Sequence, residues 1–114
     1  MTLTLPYPPS ANLYWRNAHG RTHVSTSAKE YKKSVQTLCL LHRVQPLHGR
    51  LKVTIHLWRP RKAGDLDNRI KILIDALQGA AYANDKQIVE LHAYRHEDKR
   101  NPRADVEIFE REYE

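Results

Sequence analysis

Cysteine is almost missing from this chain: Cys39 stands alone among 114 residues. No intrachain disulfide can form, and no zinc knuckle can be built from thiolates. A solitary thiol suits a reducing compartment, so a cytoplasmic location is expected. No run of about 18 apolar residues occurs, which argues against a membrane-spanning helix. The segment from Met1 to Pro9 has no basic start and breaks at its prolines, so it does not read as a secretory leader. The seven His are dispersed, and no H-x-x-E-H spacing appears. There is no internal repeat and no low-complexity tract. Acidic residues are the most informative scarcity, because Glu30 is the only one before position 65.

That scarcity sorts the charge. Residues 1–64 hold eleven Lys or Arg against the single Glu30, a net +10, whereas residues 65–114 hold eight bases against twelve acids, a net −4. The sign changes at Gly64/Asp65. A basic half of this kind attracts a polyanion, although a solvated basic surface would look the same by charge alone. The remaining composition, 40% apolar and 28% charged, is that of one small globular domain covering residues 1–114.

Periodicity then divides the chain. Thr2 to Leu5 alternates and is stopped by Pro6, Pro8 and Pro9, which predicts a short edge strand. Ser10 to Ser25 shows no sustained period and reads as a long functional loop. Ser27 and Glu30 have the spacing of a capping box. Tyr31, Val35, Leu38 and Leu41 then recur at helical spacing, predicting a helix to about Val44, with Lys29, Lys32, Lys33 and Gln36 on a face that suits solvent or phosphate. Leu51, Val53, Ile55 and Leu57 alternate as a half-buried strand. Asp67 is a candidate N-cap for a second helix striped by Ile70, Leu73, Ile74 and Leu77, and Gly79 is placed for its C-terminal turn. Strands are expected over Gln87 to Tyr94 and Ala104 to Phe109. The order β-α-β-α-β-β predicts an α+β fold, one sheet with two helices packed against it.

The chemistry concentrates at Asp65-Leu-Asp-Asn68. One Asp at a helix start is a cap. Two carboxylates there, directly after Arg61 and Lys62, exceed what capping requires, and their oxygens are hard ligands suited to Mg²⁺ or Mn²⁺. Asp85 is a third carboxylate, and a compact helical excursion would return it toward Asp65 and Asp67. Lys71 is four residues beyond Asp67 and four before Asp75. The three form either an ordinary salt-bridge ladder or a metal site with an ammonium one turn away, able to stabilise charge on a phosphate. In the basic loop Tyr14, Trp15, Arg16, Arg21 and His23 interleave rings with cations, as nucleic-acid contacts do, although rings under a loop also serve simply to cover a core. Arg59, Arg61 and Lys62 around Trp58 allow the same two readings.

Taken together, Leu5-Pro-x-Pro-Pro-Ser-x-Asn12, Gly20-Arg-x-His-x-Ser25, Tyr31, Asp65-Leu-Asp-Asn68, Lys71, Asp75-Ala-Leu77 and Asn84-Asp-Lys-Gln-Ile88 resemble the RusA-type Holliday junction resolvases of phages and prophages. The resemblance covers nearly the whole chain. It implies that Asp65, Asp67 and Asp85 are the metal-binding catalytic positions and Lys71 the associated catalytic lysine. Asn84 departs from relatives that carry a further Asp there. A homodimer cutting four-way DNA junctions with Mg²⁺, or Mn²⁺ in its place, is also implied. Substrate symmetry agrees, since two related cuts need two related sites. The alternative is a non-catalytic DNA-binding module using the basic half alone.

Overall fold

The computed structural model describes residues 1–9, 15–18, 21–24, 26–60 and 66–111. Strands β1 (Thr2–Pro6), β4 (Leu51–Arg59), β5 (Ile88–Glu97) and β6 (Arg103–Glu110) form one sheet in the order β1-β6-β4-β5. Strand β6 runs antiparallel to both β1 and β4, and β5 runs parallel to β4. Two helices, α1 (Thr26–Leu41) and α2 (Leu66–Leu77), complete the expected α+β arrangement. The loop expected from Ser10 to Ser25 contains a separate antiparallel hairpin, β2 (Trp15–Ala18) and β3 (Arg21–Val24). Two four-residue strands are too short to display a period of their own.

The core follows from alternation on the central strand. Leu51, Val53, Ile55 and Leu57 of β4 are essentially inaccessible, as are Ala104, Val106 and Ile108 of β6. They pack with Ile70, Ile72, Leu73, Ala76 and Leu77 of α2, with Tyr31, Val35 and Cys39 of α1, and with Leu3 and Leu5 of β1. On the other face of the sheet the alternate side chains build a row of parallel rings. His56 lies between Tyr94 and His96, Trp58 stacks on His96, and the Arg103 guanidinium covers Trp58. The row is tied down internally: His56 Nδ1 and His96 Nε2 lie 2.8 Å apart, and Trp58 Nε1 donates to Asp105.

The helix ends depart from the sequence expectation in three places. Helix α1 begins at Thr26, so Ser27 lies inside its first turn instead of capping it. It stops at Leu41 through a six-to-one closure. Val44 N–H donates to Cys39 O and Arg43 N–H to Leu40 O, while Arg43 takes the left-handed conformation at φ 55°. Gln36 does not face solvent or phosphate: its amide donates to the carbonyls of Ala76 and Gln78 and ties α1 to the end of α2. Helix α2 begins at Leu66, which makes Asp67 its second residue and not its N-cap. Gly79, at φ 94°, does take the left-handed turn expected of it.

Candidate active site

Helix α2 follows β4 in the chain, starting at Leu66 after β4 ends at Arg59. Asp65, Arg61 and Lys62 fall outside the described residues, and of Asp67 and Asn68 the backbone alone is described, within the first turn of α2. The chain around that turn is held from the N-terminal segment. Arg69 Nη1 donates to Pro8 O at 2.7 Å, and its guanidinium sits 4.9 Å from the Tyr7 ring centre. Sequence reasoning missed Arg69. Its signal was the Pro6 to Pro9 stretch, which is poor in amide donors and leaves carbonyls for a side chain to satisfy.

Lys71 is exposed one turn further along α2. It makes no ion pair with Asp75, so that half of the expected ladder is absent. Asp75 instead bears on Tyr82. The Tyr82 hydroxyl donates to Ile74 O at 2.6 Å, and burial, with the nearby charges of Asp85 and Asp75, pushes its pKa up. Arg59, at the end of β4, is not an open phosphate contact. Its side chain is 12% exposed and lies 3.5 Å from Glu97, and its buried Nε has no hydrogen-bond partner.

Asp85 opens a 3₁₀ turn (Asp85–Gln87) that leads into β5. Asn84 caps this turn: its Oδ1 accepts from Lys86 N–H, and Gln87 Oε1 accepts from Asn84 N–H, each at 2.9 Å. This gives Asn84 a structural duty that needs no charge. Gln78 Oε1 accepts from Asp85 N–H at 2.9 Å, and the Gln87 amide also donates to Leu47 O and Gly49 O. Asp85 is therefore fixed in the backbone while its carboxylate is exposed, with no hydrogen-bond or ion-pair partner among the described residues. Beside it lies a cavity of about 310 Å³ lined by Ile74, Ile88, Val89, Glu90 and Leu91.

The expectation that α2 returns the chain toward Asp65 and Asp67 lies partly outside the described residues, and the topology bears on the backbone of Asp67 alone. Strand β4 leaves the sheet at Arg59, and β5 re-enters it beside Leu51, at the opposite end. Parallel neighbours require the connecting helix to run back along the sheet. Ten residues of helix separate Asp67 from Leu77, about 15 Å at 1.5 Å per residue. Asp85 hangs from Gln78, just past that far end. The backbone of Asp67 and that of Asp85 thus stand at opposite ends of α2. Among the described residues no three His, Cys, Asp or Glu side chains form a metal-sized cluster.

Of the remaining candidates, Lys29, Lys32 and Lys33 are exposed along α1. In the hairpin backbone Arg16 pairs with His23 and Ala18 with Arg21, while Trp15 pairs with Val24. Tyr14 lies outside the described residues.

The chain belongs to the RusA endodeoxyribonuclease family: the model of that family, Endodeoxyribonuclease RusA, matches residues 6–109. Its relatives include proteins named crossover junction endodeoxyribonuclease RusA. The protein from Escherichia coli (strain K12) is 31% identical over 113 residues, covering 96% of this chain and 93% of its own length. The one from Enterobacteria phage 82 is 30% identical over 112 residues, covering 95% and 92%.

Proposed function

We infer that this protein is a Mg²⁺-dependent endonuclease that resolves four-way DNA junctions as a homodimer, with each active site shared between two copies. The observation that carries the shared site is the placement of Asp85 and Asp67 at opposite ends of α2. In a two-fold dimer, Asp85 of a second copy completes the pair formed by Asp65 and Asp67 of the first. The apolar side chains around Asp85, exposed Val89 and Leu91 with Ile74 and Ile88 beneath them, are the kind of surface a second copy covers. Family membership over residues 6–109 supports the substrate.

The donor set fits the ion. Three carboxylates offer hard oxygens, and the described one, Asp85, is exposed and not engaged by another side chain. Bound there, Mg²⁺ or Mn²⁺ would supply activation of water and neutralisation of phosphate charge. Lys71 presents an ammonium to the leaving oxygen from the exposed side of α2. Lys29, Lys32 and Lys33, with Arg16, Arg21, Arg61 and Lys62, supply the phosphate contacts that offset repulsion between DNA and the carboxylates. The absence of a helix long and apolar enough to cross a membrane among the described residues is compatible with action in a host cytoplasm.

The test is a synthetic four-way junction incubated with EDTA or Mg²⁺ and scored for both shift and cleavage. Cleavage only with Mg²⁺ is expected, whereas a shift without cleavage would establish the DNA-binding module instead. Asp67→Asn and Asp85→Asn should each abolish cutting while retaining the shift. Mixed together, the two inactive chains should regain nicking, because the heterodimer holds one complete shared site. Continued inactivity of a verified heterodimer would place all three carboxylates of a site on one chain.

A further inference from the structure

The strand β1 ends the sheet with its outer side unpaired among the described residues. Its hydrogen-bonding alternation shows which groups face out. Met1 exchanges both backbone bonds with Ile108, so Leu3 and Leu5 face β6 as well, and the N–H and C=O of Thr2 and Thr4 point away from the sheet. The outward carbonyl of Pro6 is already taken by the Tyr31 hydroxyl at 2.7 Å, which marks the end of the receptive stretch.

A groove of about 740 Å³ runs along this edge, lined by every residue from Met1 to Leu5 and by the C-terminal turn of α1. Consecutive residues line a pocket only when it follows the backbone, because alternate side chains point to opposite faces. Leu3, Leu5, Leu38 and Leu47 give it an apolar floor, and His42 and Arg43 stand exposed at its rim.

Edge strands are ordinarily blunted by charge, and the opposite edge obeys this: β5 carries Glu90, Arg95 and Glu97. Strand β1, Thr-Leu-Thr-Leu-Pro, has no charged side chain. It combines two outward amides, an apolar trough and a cationic rim within a basic half of the chain. We propose that this edge receives an extended segment of a partner protein, added as a fifth strand, with apolar residues alternating into the groove and an acidic residue meeting Arg43 and His42. The surface is separate from the carboxylates and does not rest on the nuclease reading.

The probe is a fluorescein-labelled hexapeptide, Asp-Leu-Thr-Leu-Thr-Leu, titrated into the full-length chain. Amide signals should shift only over residues 1–5 and 38–47, and hydrogen exchange at the Thr2 and Thr4 amides should slow. Thr4→Pro removes one outward donor while leaving the Leu3 and Leu5 bonds to β6, and should weaken binding about tenfold. Arg43→Gln should weaken it less and flatten its salt dependence. Junction cleavage should be unchanged by either substitution. Shifts elsewhere, equal binding by Thr4→Pro, or no binding of the acidic peptide would overturn the proposal. So would protection of both edge amides at high protein concentration without peptide, which would assign the edge to a second copy.

Discussion

Arg43 shows how much one backbone angle decides. The closure of α1 needs a left-handed residue at the position where glycine is usual, and an arginine at φ 55° accepts the steric cost. Arg43→Gly should therefore raise stability by about 0.5–1 kcal/mol, read as a higher urea midpoint with an unchanged slope. Asp98 illustrates a charged counterpart. Hydrogen bonds from the Asn101 N–H, the Arg103 guanidinium and the Arg100 N–H hold its carboxyl below the ordinary carboxylate range. A carboxylate depressed in the folded state stabilises above its unfolded pKa of about 3.9, and that contribution disappears as pH falls through the folded value. Asp98→Asn should thus lie below the parent chain in urea midpoint at pH 7, and the gap should narrow toward pH 3. A constant gap across that range would mean that the turn is held by geometry without help from charge.

At the scale of elements, positioning is the work of amide side chains. Gln36 closes the end of α2, and Gln78, Asn84 and Gln87 fix the turn that carries Asp85. Gln78→Leu removes the acceptor for the Asp85 N–H while leaving the core intact. Cleavage should fall about tenfold with little change in unfolding midpoint, because small misplacement of a reacting group is expensive in rate. A parallel loss of stability and activity would show that Gln78 acts through the fold alone. These amides also explain what sequence reading could and could not reach. The alternation of Leu51 to Leu57, the stripe of α2 and the glycine turn at Gly79 are local, and each was readable from spacing. The hairpin was not, because four residues per strand give too little period. Neither was the separation of Asp85 from Asp67, which depends on β5 lying parallel beside β4 while β6 takes the other side. Strand neighbourhood is a non-local property that no spacing within a segment encodes.

For the whole molecule, the proposed function makes activity a property of two chains. Parallel β4 and β5 place the backbone of Asp67 and Asp85 at opposite ends of α2, and in the proposed two-fold assembly the two positions would serve different sites. Catalysis should consequently follow mass action in a way that DNA binding through the basic half does not. On dilution below the dimer dissociation constant, cleavage per chain should fall steeply while the junction shift weakens more gradually. Adding Asp67→Asn chains, inactive by themselves, to such a dilute sample should raise the rate of nicking, since each brings an intact Asp85 to a wild-type partner. Adding Asp67→Asn/Asp85→Asn chains should not, because they can dimerise but complete no site. If both additions raised nicking alike, the second copy would be acting by stabilising the fold or holding the junction. The carboxylate at position 85 would then have to reach its metal by some rearrangement of the α2 crossover within a single chain.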